Sequence, residues 1–233
     1  ELISPNNLSA LAIYRLRMPT PLLVAHAQKL FEKQGIKAEK PIMFRSWSQL
    51  VEAFLSGEVN LVHLLSPMSL WLKYAANAPV KAVMWNHLAG SALTVQPQIE
   101  RISDLGGKTV AIPFWYSIHN IVVQQLLQAN NLSVTTKKSK ENEVKLVVMS
   151  PSDMVTALAN SVIAGFIVAE PFNALAEAKG VEKILRFSAD VWRDHACCLT
   201  MMHEQDVTER PEWTQKVVNA LTESQVFCVN RLR

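Results

Sequence analysis

Apolar and polar positions alternate along this chain in two rhythms, and the switches between them mark out its elements. LSALAIY (8–14) is a short apolar run of strand type, and TPLLVAHAQKLFEKQ (20–34) carries apolar residues at helical spacing as far as Gly35. PIMFRS (41–46) predicts a second strand, and SQLVEAFL (48–55) a helix that stops at Gly57. NLVHLL (60–65) predicts a third strand, MSLWLKYAAN (68–77) a helix, and VKAVMWNHLAGSALTV (80–95) one long or broken strand. Residues 96–108, QPQIERISDLGGK, are polar and contain Pro97 and the pair Gly106-Gly107. The alternation then restarts with strand TVAIPF (109–114), helix 118–130 and strand 144–149. Helix 151–160 begins behind Ser150-Pro151, cap and first-turn chemistry. Strand 164–169, helix 171–179, strand 195–203 and helix 211–230 complete the pattern.

Strand–helix alternation at this spacing predicts βαβ units and largely parallel sheets, an α/β fold. The interruptions near 96–103 and 188–195 divide it into two lobes, 1–95 with 196–233 and 96–195. Ligands of open α/β sheets bind beyond the carboxyl ends of the strands, where loops meet helix N-termini. In this chain Thr20, Ser66, Trp85, Asn86, Ser91 and Glu170 fall there, as does the cluster Trp115, Tyr116, Ser117, His119 and Asn120 within AIPFWYSIHN (111–120). Hydroxyls and helix-end N–H groups suit a small oxyanion or polar ligand, and aromatic rings exclude water. Thr20, Ser66 and Glu170 read equally well as helix caps.

Composition narrows the function without choosing it. Of 233 residues 49% are hydrophobic and 18% charged, with a formal net charge of +3. The densest basic run, Lys137-Lys138-Ser139-Lys140, is answered by Glu141 and Glu143, so it reads as a solvated loop and not a nucleic-acid patch. No apolar run approaches the ~18 residues of a membrane span. The start ELISPNN has neither a basic flank nor an apolar h-region, and Glu1 reads as the start of a processed or trimmed chain. Three cysteines are too few for a disulfide scaffold; adjacent Cys197 and Cys198 read as free buried thiols. His195, Cys197, Met201 and His203 would share one strand face, but about 27 Å of strand is too long for one ion, so no metal is expected. GxGxxG, GxxxxGK[ST], HExxH and GxSxG are all missing, and no catalytic residue or cofactor is assigned.

The order PTPLLVAHAQKLFEKQGI, SGEVNLVHLLSPM, ISDLGGKTVAIP, GFIVAEPFNALAEAKGVEKIL and DHACCLTMMHEQ resembles the solute-binding proteins of the nitrate/sulfonate/bicarbonate/taurine ABC importers, which include binders of thiamine-pyrimidine precursors. The likeness runs from residue 9 to about 228, most specifically at ISDLGGKTVAIP and AEPFNA. It implies a type II periplasmic-binding-protein fold, two α/β lobes joined by two crossovers around a ligand cleft. The function implied is capture of a small organic or oxyanion ligand for a membrane permease and its ATPase, by a monomer that is periplasmic or otherwise extracytoplasmic, free or lipid-anchored. The resemblance puts His119 on the helix that presents a histidine to the anion in nitrate and bicarbonate binders, with Trp85 and Ser91 lining the first-lobe side. Two departures stand out. Cys197 or Cys198 takes the place of a basic residue on the return strand, and Trp115-Tyr116 replaces small residues, both pointing to a larger, flatter or less charged ligand. The family also runs some tens of residues beyond where Arg233 stops. The alternatives are an enzyme on this fold in pyrimidine, thiamine-precursor or menaquinone biosynthesis, and a sensing domain of a larger receptor.

Overall fold

The chain divides at two points, between His87 and Leu88 and between Cys197 and Cys198, into two units. A computed structural model describes residues 7–8, 11–14, 21–44, 46–178, 180 and 182–231. Its strands in chain order are β1 (Asn7–Leu8), β2 (Leu11–Tyr14), β3 (Lys37–Ala38), β4 (Ile42–Phe44), β5 (Leu61–Leu65), β6 (Val80–Leu88) and β7 (Ser91–Val95). There follow β8 (Thr109–Ile112), β9 (Ser133–Thr135), β10 (Glu143–Val148), β11 (Gly165–Ala169), β12 (Lys183–Phe187) and β13 (Ala196–His203).

The first unit holds a five-stranded sheet in the order β4-β2-β5-β13-β6. β2 pairs parallel with β4 and β5, while β13 returns antiparallel to β5 and sets Thr200 opposite His63. All five residues of β5 are buried, as a strand covered on both faces requires. On one face Leu61 and Met202 pack with Leu22, Leu30 and Phe31 and with Trp213, Val217 and Leu221 of the C-terminal helix Pro211–Arg231. The helix expected over 20–34 is broken in two, Pro21–Ala27 and Leu30–Lys33, because Lys29 adopts a left-handed φ of 54°. Periodicity continues across such a break, since both pieces keep their apolar faces on the same core.

The second unit is a six-stranded sheet, β12-β7-β11-β8-β10-β9. β8, β9, β10 and β11 run parallel, whereas β7 is antiparallel to β11 and β12. This corrects the lobe limits read from the sequence: the apolar run 80–95 is two strands, broken at Ala89-Gly90 where φ is 52° and 74°, and Ser91–Val95 pairs inside the second sheet. Two strands of this sheet, β9 and β12, go unread in the hydrophobic pattern because both lie at its edges and are only partly buried. The Gly106-Gly107 turn leads into β8. A Cβ on Gly106 would stand 2.1 Å from the carbonyl oxygen of Glu141, so the close approach of two backbones demands glycine there.

Among the described residues no helix is long and apolar enough to cross a membrane.

Candidate functional site

AIPFWYSIHN resolves into the end of β8, a tight loop and the first turn of the helix Ile118–Ala129. Ser117 is its N-cap, extended at φ −126° and ψ 150°, with Oγ accepting the Asn120 amide at 3.1 Å and donating to the Phe114 carbonyl at 2.7 Å. The Asn120 side chain donates to the Trp115 carbonyl at 2.8 Å and accepts from Gln124 at 2.9 Å. Buried Ser117 and Asn120 thus fasten the loop to the helix. They leave Trp115 and Tyr116 at its tip, 40% and 45% exposed.

His119 sits one residue into the helix and is 2% exposed. Its Nε2 lies 2.9 Å from Ser91 Oγ, at the start of β7, and 3.9 Å from Cys197 Sγ. Three chain segments far apart in sequence therefore meet at one imidazole. Its Nδ1 is buried with no hydrogen-bond partner among the described residues. If Nε2 accepts the serine proton, Nδ1 is a buried donor; in the other tautomer it is a buried acceptor. A group left in that state is destabilising by about 1–3 kcal/mol, which a ligand hydrogen bond would offset.

Glu170 follows β11 directly. Its amide donates to the Gly90 carbonyl at 3.0 Å, which brings it beside Ser91. Its Oε2 accepts the Ala174 amide at 3.0 Å, the capping role the sequence allowed for it. His195, a strand residue in the sequence reading, lies just before β13 and pairs with Ser188 Oγ at 2.8 Å. Ser91, His119, Glu170 and the 115–120 loop thus form one polar end of the second sheet, where its parallel strands terminate.

In the first unit Ser66 is buried at the start of the helix Ser66–Tyr74, with Pro67 in its first turn. Trp85 is 61% exposed, whereas Asn86 beside it is buried and accepts from Thr200 Oγ1. Gln225 donates to the carbonyls of both Trp85 and Asn86, tying the end of β6 to the C-terminal helix. His63 lies opposite Thr200; burial, and next the charge of His87, push its pKa from 6.5 down to about 3. Neither role is recognisable from sequence, because only the antiparallel register of β13 sets Thr200 opposite His63, and only the fold brings Thr200 to Asn86. Thr20 lies outside the described residues.

A model of the NMT1-like family matches residues 8–232. The chain belongs to that family. It is 23% identical over 228 residues to the bicarbonate transport ATP-binding protein CmpC of Synechocystis, covering 90% of this chain and 33% of that protein. It is 21% identical over 229 residues to the nitrate/nitrite binding protein NrtA of Nostoc, covering 89% of this chain and 51% of that one. The chain thus spans about a third to a half of the length of these curated relatives. Among solved structures, the periplasmic nitrate-binding protein NrtA of Synechocystis superposes with a TM-score of 0.82 at 18% identity, over 96% of this chain and 62% of that one. The periplasmic aliphatic sulphonate binding protein SsuA of Escherichia coli gives 0.78 at 17% identity, over 98% and 71%. The fold is that of the periplasmic solute-binding proteins, as the resemblance of the sequence implied.

Proposed function

We propose that this chain is the solute-binding component of an ABC importer, which captures a small organic or oxyanion ligand and hands it to a membrane permease. The observation that carries the reading is His119, held by Ser91 at the polar end of a sheet, with a buried ring nitrogen that has no partner among the described residues. A rigid, partly satisfied group of this kind is pre-organised to form one more hydrogen bond, as donor or acceptor according to its tautomer. Family membership and relatives named for nitrate, bicarbonate and sulfonate give the reading its transport context. The protein would then act outside the cytoplasm, free or lipid-anchored, as a monomer partnered by permease and ATPase subunits.

The ligand is of low charge. Ser91, Ser117, His119, Asn120 and Cys197 contribute no formal positive charge apart from histidine, and Glu170 adds a carboxylate. Trp115 and Tyr116 supply exposed aromatic faces suited to a flat or apolar body. Titration calorimetry against nitrate, bicarbonate, taurine, a longer alkanesulfonate, a pyrimidine and a flavin tests this. The organic ligands should bind in preference to nitrate and bicarbonate, and His119→Ala should weaken binding at least about tenfold, equivalent to ~1.4 kcal/mol. Silence with every compound, or an unchanged affinity in His119→Ala, would discard the proposal.

A second reading rests on the relatives named as ATP-binding proteins, a third of whose length this chain matches. There the same ligand would be sensed by a module within a longer transport ATPase. The intact mass of the protein from its native host separates the two, since the second reading requires an ATPase domain on the same chain.

A further inference from the structure

The first unit carries a groove lined by none of the candidate ligand-binding residues described above. It lies between the helix Ser66–Tyr74 and the start of β6 and has a volume of about 270 Å³. Leu199 and Met201 form its floor. They project from the face of β13 opposite Met202, and hence opposite the packed C-terminal helix. Leu70 and Tyr74, one helical turn apart, are 55% and 77% exposed at its rim. Lys73 and Lys81 both line this groove as well, so charged groups stand beside its apolar floor and rim.

The two ammonium groups share one carboxylate. Lys73 Nζ stands 3.2 Å from Glu204 Oε2, and Lys81 Nζ 3.5 Å from Oε1. Glu204 is held at this spot by its own amide, which donates to the Pro79 carbonyl at 2.8 Å. Two ammonium groups against one carboxylate leave one positive charge over, and each ammonium has three donors for its share of two carboxylate oxygens. The complement of such a groove is one negative head on an apolar body. The groove's volume is a little below the ~300–1,000 Å³ of pockets for drug-sized ligands, which suits a smaller guest.

We propose that this groove is a second ligand site, which takes a monoanion with an apolar tail, a medium-chain carboxylate being the simplest example. Glu204, which pairs with both lysines, would be the competitor of that anion. Octanoate, with octylamine as the cationic control, tests the proposal by calorimetry. Octanoate should bind once per chain and octylamine should not. Lys73→Met should weaken octanoate about fivefold, as expected for a partly exposed ion pair. Glu204→Gln should tighten it about threefold by removing the competitor, a gain that general damage to the fold would not produce. Ala82→Trp should block the groove outright, and His119→Ala should leave octanoate binding as it was. Equal binding of the two probes, no saturable octanoate binding, weaker binding in Glu204→Gln, or loss in His119→Ala would each overturn it.

Discussion

His63 shows what burial does to a single side chain. Its imidazole is enclosed within β5, and the pKa falls from 6.5 to about 3 because the charged form has lost its water. Between those values the unfolded chain binds a proton that the folded chain refuses. Its contribution to stability is therefore intact above pH 6.5 and declines as the pH drops from 6.5 toward 3, by up to about 1.4 kcal/mol per pH unit. Urea unfolding at pH 7, 6 and 5 should show that decline, and His63→Leu should show a shallower one; identical slopes would remove histidine from the explanation. Thr200 acts on the same interior. Its hydroxyl serves Asn86, whose Nδ2 already has no partner among the described residues. Thr200→Val should accordingly lower unfolding stability by about 1–3 kcal/mol, with the urea m-value unchanged.

At the scale of elements, the cap of the helix Ile118–Ala129 decides how the candidate site is presented. Ser117 makes one hydrogen bond as acceptor, from the Asn120 amide in the first helical turn, and one as donor, to the Phe114 carbonyl in the loop before it. Ser117→Ala should lower thermal stability by the equivalent of about 1 kcal/mol and loosen Trp115, visible as a change in its fluorescence quenching by acrylamide. Retained quenching behaviour would mean that the loop holds its shape without the cap. The turn before β8 is a stricter case. Since a Cβ on Gly106 meets the Glu141 carbonyl at 2.1 Å, Gly106→Ala must displace backbone. We expect a loss of about 1–3 kcal/mol or more in chemical denaturation, whereas the same change at Gly57, where a Cβ meets nothing within 4 Å but φ is +83°, should bring only the strain of that angle.

For the whole molecule, the proposed function makes a thermodynamic demand. A ligand that binds only the folded chain stabilises it by about 2.7 kcal/mol at a hundredfold excess over its Kd. A melting-temperature screen over the same ligand panel should give a clear upward shift for the true ligand and a reduced one in His119→Ala. A shift of equal size in that variant would place the ligand elsewhere on the chain.

The alternation of apolar runs with helical spacing was enough to specify an α/β chain with two sheets, because burial on both faces imposes long apolar strands and one-sided helices whatever the topology. The loop at 113–117 was legible too, being written in the Pro113 and polar residues that follow an apolar strand, whereas the capping role of Ser117 and the place of the break at Ala89-Gly90 were not. Local pattern had no means of marking the partly buried edge strands β9 and β12, or the left-handed turn at Lys29. Nor could it reveal that Ser91, His119 and Cys197 meet, or that His63, Asn86 and Thr200 share an interior. Those contacts depend on which strand lies beside which, and in what direction. Only the antiparallel insertion of β7 and the return of β13 decide that, through hydrogen-bond registers joining residues tens to more than a hundred positions apart.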